Sequence, residues 1–111
     1  IVANGLFPSS GIDYPFDEKA NMLEDIFPNP FSESTTIRYR LGESSRVELI
    51  IRDHFGRLIE TLVDAEQSAG TYRMNWDGMD DFGNKLASGI YFYSMKTDQG
   101  LSTKRMILIS K

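Results

Sequence analysis

From Leu23 onward, apolar and polar residues alternate in short runs, and turn formers separate the runs about every 8 to 12 residues. A period of two fits an extended strand with one buried and one solvated face. This excludes a helical bundle and predicts a sandwich or a barrel. The sharpest alternation is Gly70 to Asp77, with Tyr72, Met74 and Trp76 on one side and Thr71, Arg73 and Asn75 on the other. Trp76 reads as a core anchor. In Ser34 to Leu41, Ile37, Tyr39 and Leu41 alternate with Thr36, Arg38 and Arg40. In Arg46 to Asp53, Val47, Leu49 and Ile51 face inward, and Ile50 interrupts the pattern.

The remaining runs are less regular. Leu23 to Phe27 is closed by Pro28-Asn29-Pro30, whose two prolines lack ladder donors and call for an edge strand or a crossing between sheets. A turn at Asp53-His54-Phe55-Gly56 leads to a strand over Arg57 to Val63, followed by a polar loop over Asp64 to Gly70. Asp77 to Gly89 is dense in turn formers and leaves no room for a helix. Ile90 to Thr97 reads as a central strand. Leu101 to Ser110 is the last strand, polar at first and aliphatic at its end. The reading is an all-β, immunoglobulin-like antiparallel β-sandwich of about seven strands. It occupies residues 23–111, with 1–22 as a linker or the tail of a preceding domain.

Charge is unevenly distributed. Residues 1–25 carry Asp13, Asp17, Glu18, Glu24 and Asp25 against Lys19 alone, which accounts for the whole net charge of −4. A neutral body lacks the Lys/Arg field that phosphate neutralisation needs, so nucleic acid is not an expected partner. Absence of cysteine removes disulfides, thiolate nucleophiles and Cys-based zinc sites. Because Ile1 is not an initiator methionine, an excised piece of a longer protein is expected.

Candidate chemistry is sparse, and catalysis is not expected: no acid and base pair stands out. His54, the only histidine, lies in a turn and reads as a loop residue. Asp77, Asp80, Asp81 and Asn84 could offer hard oxygen ligands to calcium, but no Glu closes the loop in the EF-hand manner. The same residues beside glycine are what a plain turn requires, and that reading is preferred. Phe92 is the aromatic ring assigned to the less buried face, too little for a sugar-binding platform.

Six strings, in order, resemble the C-terminal sorting domain of type IX (Por) secretion system cargo proteins. They are Phe27-Pro28-Asn29-Pro30-Phe31 followed by Ser34 to Tyr39, Asp53 to Arg57, Ala69 to Tyr72, Trp76-Asp77-Gly78 with Asp81, Gly83 and Asn84, Ala87 to Tyr93, and Lys104 to Ile109. The pattern is also similar to the immunoglobulin-like domain of flagellar hook-capping proteins. The resemblance implies a non-catalytic C-terminal signal that takes an upstream cargo through the periplasm and across the outer membrane of a Gram-negative bacterium. It implies as partners the outer-membrane secretion machinery, a surface peptidase or transferase, and the cargo itself, with cleavage in the linker and surface anchoring. The residues it assigns to recognition are Lys104, Arg105, Met106, Ile107, Leu108, Ile109 and Lys111; Ser110 departs from the aliphatic pattern of the family's ending. The alternative is a structural accessory or hook-capping-like interaction domain of a cell-surface protein.

Overall fold

A computed structural model describes residues 18–110. Seven strands follow in order: β1 (Met22–Leu23), β2 (Thr35–Leu41), β3 (Ser45–Asp53), β4 (Leu58–Gln67), β5 (Gly70–Trp76), β6 (Gly89–Thr97) and β7 (Gly100–Leu108). They form two antiparallel sheets, β1-β2-β5 and β4-β3-β6-β7, packed as an all-β sandwich. The inward rows are those the alternation marks. Ile37, Tyr39 and Leu41 of β2 meet Val47, Leu49 and Ile51 of β3, Tyr91, Tyr93 and Met95 of β6, and Met106 and Leu108 of β7 in one core. Trp76 sits in it almost fully buried, with Phe31 and Tyr91 edge-on at ring-centroid distances of 5.7 and 5.9 Å.

Three expectations change, and a fourth reading gains its physical account. First, the run Leu23 to Phe27 is paired as a strand only at Met22–Leu23; Phe27 makes an isolated bridge to Thr36. Four residues later Phe31 bridges Leu108 of the other sheet, so the proline-rich stretch is a crossing between sheets.

Second, β4 continues to Gln67, where a polar loop from Asp64 was expected. The strand is hidden in the sequence because its inward positions there are small or polar. Ala65 lies opposite Val47, and Gln67 accepts a 2.6 Å hydrogen bond from the buried Tyr39 hydroxyl. Ladder bonds to β3 and the 2.6 Å Arg46–Asp64 ion pair hold a segment that side-chain hydropathy does not mark.

Third, Ile50 interrupts the alternation within β3 as expected, and the structure gives the reason. A register shift in the β3–β4 ladder lies beside it, and it is buried on the outer face among Glu48, Arg52, Lys96 and Leu101. Fourth, β7 stops at Leu108, because β6 offers no partner beyond Gly89.

Residues 18–21 hold to the end of the sandwich that carries the Asp98–Gly100 turn. Asn21 donates to Thr97 and accepts from the Gly42 amide at 3.0 Å. Gly42 is needed here because a Cβ would collide with the backbone of Glu18 and Lys19. The linker expectation for 1–22 otherwise falls on residues 1–17, which lie outside the described residues.

Candidate recognition surface

The strand directions bring five of the six strings to one end of the sandwich, all but Ala69 to Tyr72. β3 and β5 finish there, β4 and β6 start there, and β7 ends there beside the crossing at residues 27–31.

The Asp53 turn is the most tightly bonded element of this end. Buried Asp53 accepts from the Phe55 and Arg57 amides at 2.9 Å each and from Arg57 Nε at 2.7 Å. Gly56 completes it in the left-handed region at φ 85°. Burial pushes the Asp53 carboxyl up, but the hydrogen bonds from Arg57 and Phe55 outweigh it and hold the group below its ordinary value of 3.8. A carboxyl depressed in the folded state stabilises it above the unfolded-chain value, and that contribution is lost as pH falls through the folded one. Asp53→Asn is therefore expected to melt below the parent at pH 7. The gap should narrow as pH falls through the folded-state value of the parent carboxyl, as a melting series by circular dichroism would record. His54 lies in this turn with its ring tilted against that of exposed Phe55, centroids 4.0 Å apart.

In the loop after β5, Asp77 accepts from the Met79 amide at 3.1 Å, while Asp80 accepts from the Phe82 and Asn84 amides at 2.9 Å and from Asn84 Nδ2 at 3.2 Å. These contacts draw the Asp80 carboxyl below its ordinary value, the Asn84 amide contributing most. The Asp77 and Asp80 carboxylates and Asn84 thus bond within their own turn. No group of three or more metal-ligating acidic or histidine side chains is assembled among the described residues. Glu60 of β4 reaches in to accept from Trp76 Nε1 at 3.0 Å. Burial and the nearby carboxylates of Asp77, Asp81 and Asp80 raise its carboxyl above the usual range.

The terminal strand splits the assigned recognition residues by face. Opposite Tyr93 and Tyr91, Lys104 and Met106 point inward, and Leu108 follows them; Met106 and Leu108 are core. Lys104 escapes to the rim and pairs with Asp25 at 3.0 Å. Arg105, Ile107 and Ile109 are exposed. The outward row widens onto β6, where Ile90 lies opposite Ile107, and Phe92 opposite Arg105 with Arg52 on its other side. Lys111 lies outside the described residues. A partner meeting this folded face touches Arg105, Ile107, Ile109, Ile90 and Phe92, and does not reach Met106 or Leu108.

The backbone edge of β7 is partly closed. Ile107 donates to Asn29 Oδ1 and accepts from the Phe31 amide, both at 3.0 Å, and the Ile109 amide donates to the Phe31 carbonyl at 2.8 Å. Strand addition over Ile107 to Ile109 would have to displace residues 29–31. Both edges of the four-stranded sheet also carry an inward charge, Glu60 on β4 and Lys104 on β7, which discourages edge-to-edge pairing. Sequence reasoning did not find Asn29, Asp25 or Ile90. The first two act across 78 and 79 residues of chain, whereas the alternation placing Ile90 beside Phe92 was legible.

The family model of the FlgD Ig-like domain matches residues 31–100. No curated protein matches the chain. Among solved structures, the fold is similar to part of dimeric latent PorU from Porphyromonas gingivalis, with a TM-score of 0.64 and 24% identity over 95% of this chain and 10% of that one. It is similar to part of PorZ, described as an essential surface component of the type IX secretion system of the same organism (TM-score 0.53, 23% identity, 77% of this chain, 11% of that one). FlgD from Xanthomonas campestris, described in connection with hook capping in flagellar assembly, gives a TM-score of 0.50 at 22% identity, over 80% of this chain and 67% of that one. The chain thus spans about a tenth of PorU and of PorZ. At these identities the likeness is one of fold.

Proposed function

Given that this chain belongs to the FlgD Ig-like domain family, we propose that it is a non-catalytic sorting module, which directs an upstream cargo across the outer membrane through the type IX secretion system. The observation that carries this reading is the outward row of the last strand. Arg105, Ile107 and Ile109, broadened by Ile90 and Phe92, present a cationic and aliphatic surface on a sheet face at the end where the family-like strings converge. Polar residues are the rule on the solvent face of an antiparallel sheet, and a contiguous apolar group there is the mark of a docking surface. Likeness of fold to segments of PorU and PorZ supports the same reading. Secretion machinery of the outer membrane would read the row, and a surface peptidase or transferase would then act on the linker.

Deleting Lys104 to Lys111 cannot test this, because Met106 and Leu108 are core and the domain would unfold. The informative variant is Arg105→Ala/Ile107→Ser/Ile109→Ser, which changes exposed positions. Fused to an exported reporter in a host with the type IX machinery, the 111-residue chain should carry it to the cell surface, and the variant should leave it in the periplasm with little change in melting temperature. Surface display by a folded variant would refute the role of this row. A parent fusion that folds but stays in the periplasm would favour the second reading, a hook-capping-like interaction domain, for which the match to residues 31–100 speaks.

A further inference from the structure

The edge strands differ in how they are guarded. Both edges of the four-stranded sheet carry an inward charge, and residues 29–31 cover part of β7. On the three-stranded sheet, β1 is only two residues long. At the other edge, β5 runs for seven residues with Tyr72, Met74 and Trp76 turned inward, without a proline or an inward charge to block pairing.

The ladder fixes which backbone groups of β5 are unused. Phe27 and Thr36 exchange amide-to-carbonyl bonds, and the Glu24 amide donates to the Arg38 carbonyl, so Thr36 and Arg38 turn their backbone away from β5. Hydrogen-bonding direction alternates along an antiparallel strand. Thr35, Ile37 and Tyr39 therefore serve Trp76, Met74 and Tyr72, and the N–H and C=O groups of Thr71, Arg73 and Asn75 point to the open edge. Those groups take no hydrogen bond among the described residues. On the outer face Arg73 lies directly opposite Arg38, about 5 Å away at Cβ, where like charges destabilise the pair. Glu24 answers Arg38 at 3.6 Å, whereas Arg73 is exposed with no ion-pair partner among the described residues. On the inner face Tyr72 and Met74 are only partly buried, as are Ile59 and Leu62 of β4.

We propose that the free edge of β5 receives an extended segment of another polypeptide, added antiparallel as a fourth strand, with an Asp or Glu opposite Arg73 between two apolar residues. The acidic residue follows from charge: the row Glu24, Arg38, Arg73 crosses the sheet and ends at the open edge on an unanswered guanidinium. The apolar neighbours follow from the pleat, because residues on either side of the acidic one turn inward onto Tyr72 and Met74. A second copy of this chain fits badly, since full overlap of two β5 strands sets Arg73 against Arg73. This inference does not rest on the export reading.

The test titrates the 111-residue chain with the capped peptide Ser-Thr-Val-Glu-Val-Thr-Ser at millimolar concentration. Amide resonances from Thr71 to Asn75 should shift in NMR spectra, and those of β7 should not. The free-edge amides of Thr71, Arg73 and Asn75 should exchange more slowly with deuterium in the presence of the peptide. The same peptide with Lys in place of Glu should bind about fivefold more weakly, the scale of an exposed ion pair. Arg73→Glu, a change at an exposed position, should reverse that preference. N-methylation of the peptide's Glu should abolish binding, because its N–H would face Arg73, whereas N-methylation of the Val after it should leave binding in place. No shift with the Glu peptide, shifts confined to another edge, equal affinity for the two peptides, or indifference to N-methylation at Glu would each overturn the proposal. Slow exchange of the three amides in the free chain would overturn it as well, since the edge would already be covered.

Discussion

Replacing Trp76 with alanine is expected to remove about 4 kcal/mol of stability, within the range for a large aromatic truncated in a core. A domain of this size has only about 5–15 kcal/mol in total, so the variant should melt far below the parent or fail to fold at 37 °C. Two losses add. The ring is nearly fully buried and packs edge-on against Phe31, from the crossing segment, and Tyr91, from β6, so its removal opens a void joining both sheets. Its Nε1 also donates to Glu60 Oε1 and to the Met79 carbonyl, both at 3.0 Å, and this pins the acidic loop to β4. Trp76→Phe separates the two effects. It keeps most of the apolar volume and loses the donor, and a penalty of about 1–2 kcal/mol is expected. Denaturant melts of the two variants give the partition. Equal losses in both would mean that the hydrogen bonds, not the packing, dominate this position.

On the last strand, neighbouring residues should respond very differently. Met106→Ala should destabilise by about 3 kcal/mol, since the side chain is fully buried. Ile107→Ala should change stability by less than about 1 kcal/mol, because that side chain already meets water on the outward face. The contrast matters for function. A sorting defect in Met106→Ala would reflect a destabilised domain, whereas one in Ile107→Ala would reflect a lost contact. Melting temperatures measured beside localisation distinguish the two, and comparable destabilisation by both variants would contradict the assignment of faces.

Much of this is legible in the amino-acid sequence, because it is local. The alternation of Tyr72, Met74 and Trp76 with Thr71, Arg73 and Asn75 assigns each side chain of β5 to a face wherever the strand is later placed. The same holds for β2 and for the inward row of β3. The Asp53-His54-Phe55-Gly56-Arg57 turn was equally readable, since its hydrogen bonds close within four residues. The end of β4 was not readable, because Asp64 to Gln67 owe their extended state to the β3 ladder and not to their own hydropathy.

The amino-acid sequence by itself determined the all-β class, the inward rows and the turn chemistry, because each depends on residues a few positions apart. Tertiary structure alone decided which strands share a sheet, and therefore which charges and edges meet. It placed Asn29 on the Ile107 amide, Asp25 on Lys104, and Arg38 abreast of Arg73. It also divided the terminal strand into a core face and an exposed face by fixing its register against β6. Register and sheet order are set by the best joint packing of segments far apart in the chain, and a one-residue slip would exchange the two faces of any strand.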